Sequence, residues 1–420
     1  MINNSLNAPA SPQRMRVVVV GGGAAGFFAA ITCAEANPDV HVVVLERTAH
    51  FLSKVRISGG GRCNVTNRMS EPKELSQNYP RGRSALVGPF HTFTSRDTVE
   101  WFESRGVELK VEGDGRVFPT TDSSQTIIDC LTEAARRAGV ELRADSSVQT
   151  VKRLDLGFEL ELSNGEILHC DKLMLATGGC RTPAAGQLAV ALGHSLEPPV
   201  PSLFTFHVGV PWLRELAGIS VPTVQVSVPT AKLKEQGPLL ITHSGVSGPA
   251  ILRISAWGAR ALHAMEYKFS MQVNWLPQLN VESLSQHLDS QRKSSPSRLV
   301  VNSPIAPLAG RLWEALVLST DIPRETRWAD LSSASRHRLI QQLTRMELPV
   351  SGKTLNADEF VTCGGVPLSE VNFKTMESKV CPGLHFGGEL LDIDGITGGF
   401  NFQSAWTTGW LAGNAMAKHA

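Results

Sequence analysis

Gly21-Gly22-Gly23-Ala24-Ala25-Gly26 carries the G-x-G-x-x-G spacing that turns a backbone beneath a phosphate. Gly21 permits the sharp turn, Gly23 lets the chain approach a pyrophosphate, and Gly26 allows a helix to pack closely on a strand. Ala24 and Ala25 open that helix, so its partial positive charge faces the phosphates. Glu46 follows at about the distance at which an acidic residue meets a ribose. A carboxylate there accepts ribose hydroxyls and repels a 2′-phosphate, so FAD or NAD fits and NADP does not. Arg47, next in the chain, is a further candidate contact.

Three other clusters separate FAD from NAD. The first is Ser58-Gly59-Gly60-Gly61-Arg62-Cys63-Asn64-Val65-Thr66-Asn67, and the second is Thr177-Gly178-Gly179 at the end of a short apolar run. The third runs from Gly387-Gly388-Glu389 to Asp392 and resumes at Gly398-Gly399-Phe400-Asn401-Phe402-Gln403. NAD needs one glycine-rich unit, whereas an elongated flavin dinucleotide needs contacts returned from the distant C-terminus. FAD is therefore the expected cofactor, with Val148 as a further contact from the strand-rich middle. Arg62 meets a phosphate or the substrate in this reading. Cys63 is read as a packing or backbone residue rather than a redox group, since no partner cysteine is near it in sequence.

The elements that must hold these residues are legible around them. Met15–Val20 reads as a buried strand, Ala24–Asn37 as a small-residue helix and His41–Glu46 as a second strand, the βαβ unit of a parallel sheet. Ser123–Ala138 has helical spacing, Val140–Leu154 and Phe158–His169 read as hairpins, and Lys172–Ala176 as another buried strand. From about residue 195, segments such as Phe204–Val208 and Tyr267–Trp275 alternate apolar and polar residues, as in an antiparallel barrel. Residues from about 280 read as helical, with Asn280 as a cap and a stripe of Leu339, Ile340, Leu343 and Met346. A helix is expected over Ser404–Ala417. The expected division is a disordered tail over 1–14, a first FAD-binding part over 15–194, a β-barrel-like insert over 195–279, a small helical insert over 280–354 and a returning FAD-binding part over 355–420.

Four longer blocks add a resemblance. They are Ile57–Asn64, Thr242–Ala250 (Thr-His-Ser-Gly-Val-Ser-Gly-Pro-Ala), Thr362–Val366 and Asp394–Gln403 (Asp-Gly-Ile-Thr-Gly-Gly-Phe-Asn-Phe-Gln). With these, the chain resembles the HI0933-like family of bacterial flavoproteins (BaiN/RdsA and aminoacetone oxidase types) over about residues 15–417. The resemblance implies an α/β fold: a glutathione-reductase-like FAD-binding Rossmann domain with an inserted β-barrel-like domain and a small helical one. It places Glu389 like the acid that holds the ribitol hydroxyls, and the helix start at Gly398–Gln403 against the flavin N1–C2=O edge. Two stretches depart from relatives: Lys54-Val55-Arg56, where Gly-Lys-Lys is frequent, and Tyr79-Pro80-Arg81-Gly82.

His243 stands between a strand and a proline-started helix and is the catalytic candidate, for proton transfer beside the flavin. Composition argues against other classes. Formal net charge is +1, so neither nucleic acid nor an anionic membrane is the expected partner. The seven cysteines never show Cys-x-x-Cys spacing, which suits a reducing cytoplasm and offers no metal site. Val17–Ala34 is free of charge but broken by glycines, so it reads as strand, turn and helix rather than a membrane span. The reading is an FAD-dependent oxidoreductase moving hydride between flavin N5 and an unidentified small organic substrate, with the reductase direction preferred. The alternatives are an FAD-dependent amine oxidase and a tRNA- or nucleic-acid-associated flavoprotein. No second G-x-G-x-x-G occurs, so NAD(P)H, if it is the electron donor, docks transiently.

Overall fold

The computed structural model describes residues 14–180, 183–354 and 361–418. The expected tail, up to residue 13, lies outside them, as does the expected domain boundary at 355. Two compact units form, one from the chain through Pro199 together with Gly364 onward, the other from Val200–Cys363.

The first unit is built on a seven-stranded sheet that has β1 (Arg16–Val20) as an inner strand. Its four valines are buried on both faces, as a parallel strand covered by helices requires. The helix α1 (Ala24–Ala36) leads from it to β2 (His41–Leu45), parallel to β1 in register Val18↔Val43. Outside β2 lies β3 (Glu141–Arg143), and on the other side of β1 lie β4 (Lys172–Leu175) and then β5 (Leu384–Phe386). All of these are parallel; two short antiparallel strands, Glu377–Ser378 and Val371–Asn372, extend the edge beyond β5. The hairpin expected over Val140–Leu154 is not formed. Its first half is β3, while Val148–Arg153 pairs instead with Phe158–Leu162 in a separate three-stranded sheet.

The helix α1 is buried almost all round, so a hydrophobic stripe does not describe it. The C-terminal helix Phe400–Met416 packs on it through glycines: a Cβ on Gly409 would lie 2.6 Å from the Ala25 carbonyl, and one on Gly413 2.5 Å from that of Ala29. This helix begins four residues before the expected Ser404, because Gly399 (φ 92°) turns the chain directly into it.

In the second unit, six strands close a barrel: Thr205–Val208, Gly245–Ser247, Leu233–Thr242, Ser220–Val228, Phe269–Asn274 and Met346–Thr354. Val221, Val224, Val226 and Val228 point inward from one strand, each fully buried. The last strand lies inside the stretch expected to be helical. Met346 ends the helical stripe and starts the strand that closes the barrel on Thr205–Val208. The helices between share the barrel's core through Leu284, Trp313, Leu316, Leu339 and Leu343. Asn280 caps the first of them, its side-chain oxygen accepting the Ser283 N–H at 2.7 Å. Among the described residues, no helix is long and apolar enough to cross a membrane.

Candidate functional site

The glycine loop occupies the carboxyl end of β1, and each glycine answers a different constraint. Gly21 has φ 113°, and a Cβ on it would sit 2.3 Å from the Ala176 carbonyl at the end of β4. A Cβ on Gly26 would lie 2.0 Å from the Gly21 carbonyl, so the first turn of α1 rests directly on the loop. Gly23 is the opposite case: nothing lies within 4 Å of its would-be Cβ. That open face adjoins a helix start with neither a side-chain cap nor an acid in its first turn. An uncapped N-terminus leaves backbone donors and partial positive charge for an anion, which a pyrophosphate matches.

Glu46 follows β2 and its carboxylate is held at this loop. One oxygen accepts the Gly22 N–H at 2.9 Å, and the other accepts Thr48 N–H and Oγ1 at 3.0 and 2.9 Å. The Glu46 carbonyl accepts the Ser146 N–H at 2.7 Å, which brings the segment leading to half-buried Val148 alongside. Arg47 is exposed. Thr177, Gly178 and Gly179 follow β4, next to the Ala176–Gly21 contact, and are half-buried. Gly388 follows β5 with φ 69°, and a Cβ on it would be 3.0 Å from that of Ala25. Glu389 beside it pairs with Lys54 at 2.5 Å. Four loops at the carboxyl ends of adjacent parallel strands thus meet at the start of α1, the crevice where α/β sheets bind ligands.

A second convergence surrounds the start of the C-terminal helix. Asn67 Nδ2 donates to the Gly398 carbonyl at 3.1 Å, and a Cβ on Gly399 would strike Thr66. The Asn64 amide, oriented as its neighbours require, donates to the Thr66 carbonyl at 3.0 Å and accepts the Gly399 N–H at 2.9 Å. Asn401 exchanges both amide bonds with the Gly395 backbone at 2.8 and 3.0 Å. No side chain caps this helix either. The residues present fit FAD: two helix starts without a side-chain cap, and the carboxylates of Glu46 and Glu389 beside the loops after β2 and β5. FAD, when bound, supplies the hydride chemistry.

Several expected contacts read differently in three dimensions. Arg62 does not hold its guanidinium out to an anion: it pairs with Glu112 at 2.7 Å and Asp122 at 3.4 Å, stacked 4.0 Å over Phe118. Gln403 is fully buried and its amide is engaged within the fold. Its oxygen accepts Thr66 and Thr98 hydroxyls at 2.6 and 2.9 Å, and its nitrogen donates to Thr407 at 3.1 Å. That side chain fastens the helix rather than facing a ligand. Phe400 is likewise buried, 4 % exposed, and offers its backbone only. Burial pushes the Cys63 thiol up to about 12, so it is protonated and unreactive near neutrality. Ser58 donates to the Val55 carbonyl at 2.9 Å, while Gly59 and Gly60, both left-handed, are exposed beside it. Asp392 is half-buried, its N–H on the Val366 carbonyl at 3.0 Å. Lys54, Thr66, Asn67, Tyr79, Arg81 and Asp394 were not singled out as ligands or supports. Yet Thr66 and Asn67 lie within three residues of the Ile57–Asn64 block and Asp394 opens the last one, which is the signal that finds them.

Every expected cofactor contact lies in the first unit, whereas His243 lies in the barrel unit. It is exposed at the two-residue turn between Leu233–Thr242 and Gly245–Ser247. An exposed turn side chain contributes little to stability, within about 0.5 kcal/mol. His243→Ala is therefore expected to keep the parent's FAD content and melting temperature, which makes turnover a clean readout. A fall of roughly 10²–10⁴-fold assigns it proton transfer, and unchanged turnover removes it from the mechanism.

Comparison with known proteins agrees with this architecture. The chain matches the HI0933-like protein Rossmann domain family over residues 15–415. It is 33% identical over 408 residues to an Escherichia coli ribosomal RNA dihydrouridine synthase, spanning 95% of this chain and 97% of that protein. It is 30% identical over 420 residues to a 3-dehydro-bile acid delta(4,6)-reductase of Clostridium scindens, spanning 96% and 99%. A Haemophilus influenzae ribosomal RNA dihydrouridine synthase is 29% identical over 414 residues. By this match over nearly its whole length, the chain belongs to the HI0933-like family, and it is an FAD-dependent oxidoreductase.

Proposed function

We propose that this protein is an FAD-dependent reductase that adds two hydrogens across a carbon–carbon double bond conjugated with a carbonyl group. Two relatives with unlike substrates support one shared step. Dihydrouridine is uridine with hydrogen added across the ring double bond beside a carbonyl, and a 3-dehydro delta(4,6) steroid carries its double bonds in conjugation with a ketone. Such an acceptor takes hydride at the carbon remote from the carbonyl and a proton at the adjacent one. The relatives' names give no support to amine oxidation.

The structural observation that carries the reading is the uncapped start of the C-terminal helix, set behind Gly398-Gly399. A helix N-terminus stabilises negative charge on the group that faces it, and here that favours the electron-rich, reduced form of the cofactor. In this proposal the Gly21–Gly26 loop holds the pyrophosphate, Glu46 the adenosine ribose and Glu389 the ribitol. Lys54 fixes the orientation of Glu389. NAD(P)H is the proposed electron source, arriving without a binding domain of its own.

The test offers anaerobically reduced protein three acceptors: a cyclic enone, a uracil-bearing RNA and a saturated ketone. A product heavier by two hydrogens from the enone or from the RNA supports the proposal and identifies which form of acceptor is used. Reduction of the saturated ketone alone, or of none of the three, contradicts it.

A further inference from the structure

We infer that Arg81 is a positioning residue: its ion pair with Asp394 sets the loop before the C-terminal helix, and thereby the backbone donors that tune the bound flavin. The inference rests on the FAD reading above and concerns a stretch, Tyr79–Gly82, to which that reading assigns no role.

Asp394 is fully buried, and the Arg81 guanidinium is bidentate on it, with Nε on one oxygen at 2.5 Å and Nη2 on the other. A buried ion pair is a poor stabiliser, because desolvating two charges offsets most of their attraction and an apolar pair of equal volume does as well. What a bidentate pair does provide is orientation, since two parallel bonds fix the carboxylate plane. Arg81 and Asp394 also form a backbone bridge.

The surrounding contacts all act on the same loop. The Ile396 N–H donates to the Asn78 carbonyl at 2.9 Å. The hydroxyl of fully buried Tyr79 donates to the Phe400 carbonyl at 2.6 Å. Gly82 fits closely against Ile393, since a Cβ there would lie 2.8 Å from that side chain. Residues 78–82 thus grip the chain at 393, 394, 396 and 400, while Thr66 and Asn67 hold Gly398 and Gly399 from the other side. None of the bonds named above uses a first-turn N–H group of the C-terminal helix. With no side-chain cap on that helix, those groups stay available, and the grip decides where they point.

Arg81→Lys and Asp394→Asn test this in the FAD-loaded protein, with Arg96→Ala, which breaks an exposed pair with Glu100, as control. Flavin and a reference dye of known potential are reduced together, and their equilibrium ratio is read from absorbance. Both variants are expected to keep FAD and to shift that equilibrium roughly 2–30-fold toward oxidised flavin, the range of a helix-terminus contribution. The control should not move. An unchanged equilibrium in FAD-loaded variants overturns the inference. If the variants lose FAD, the melting temperature of the apoprotein decides. An unchanged value supports a positioning role, whereas a fall that matches the lost affinity marks a general folding role and overturns it. Absence of FAD from the parent protein would instead refute the reading beneath, so the two failures are distinct.

Discussion

Deleting residues 381–420 is expected to abolish FAD binding and to unfold the first unit, although the glycine loop and Glu46 remain intact. The deletion removes β5 from the middle of the sheet and the helix that covers α1. Trp406, fully buried, donates its indole N–H to the Val65 carbonyl at 2.9 Å, and Thr407 donates to that of Phe93 at 3.0 Å. Phe400, Trp406, Leu411 and Met416 are all buried, and exposing each costs about 1.5–3 kcal/mol. Together that equals much of the roughly 5–15 kcal/mol by which a typical protein is stable. Loss of near-ultraviolet circular dichroism and of bound flavin is the expected result. A truncated, folded protein that still holds FAD would show that the C-terminal segment is not part of the site.

The second large effect separates two glycines of one motif. Gly26→Ala puts a methyl 2.0 Å from the Gly21 carbonyl, a backbone atom that cannot move aside without breaking the turn. It is expected to destabilise the apoprotein itself by about 1–3 kcal/mol or more, the cost of overpacking, and so to lower its melting temperature. Gly23→Ala meets nothing within 4 Å, and its φ of −93° suits alanine. Its apoprotein should be as stable as the parent, yet its FAD affinity should fall roughly 10–100-fold, because the methyl occupies the approach to the pyrophosphate. Titration of flavin into both apoproteins, beside thermal melts, reads the two effects. Equal stability losses for both, or an unchanged affinity for Gly23→Ala, would mean that the open face at Gly23 does not admit the cofactor.

What the sequence reveals of this protein depends on how local its causes are. The βαβ unit was legible because its valine runs, glycine spacing and Glu46 lie within one stretch of chain, and each has a local physical reason. The strand Glu141–Arg143 was misassigned because it is three residues long and pairs with β2, nearly a hundred residues earlier. The barrel's closing strand was hidden because Met346 continues a helical stripe, and only the distant partners Thr205–Val208 and Phe269–Asn274 make the next residues a strand. The helix start at Phe400 was misplaced because Gly-Gly-Phe-Asn has weak helix propensity and is set by contacts with Thr66 and Asn67.

The candidate site follows the same rule. The turn at Gly21 and the close packing at Gly26 could be placed from sequence, since a glycine's role comes from its own missing side chain. Arg62 and Gln403 could not. Whether a guanidinium meets a phosphate or a carboxylate depends on Glu112 and Asp122, and whether an amide faces a ligand or the core depends on Thr66 and Thr98. Nor could Arg81, because its partner Asp394 lies more than three hundred residues away.

The most direct measurement is the identity of the cofactor released by heat from the purified, folded protein. Chromatography against standards is predicted to show FAD, non-covalently bound and close to one per chain, in the parent protein and in His243→Ala. FMN, NAD or no chromophore from protein that melts cooperatively would contradict the account.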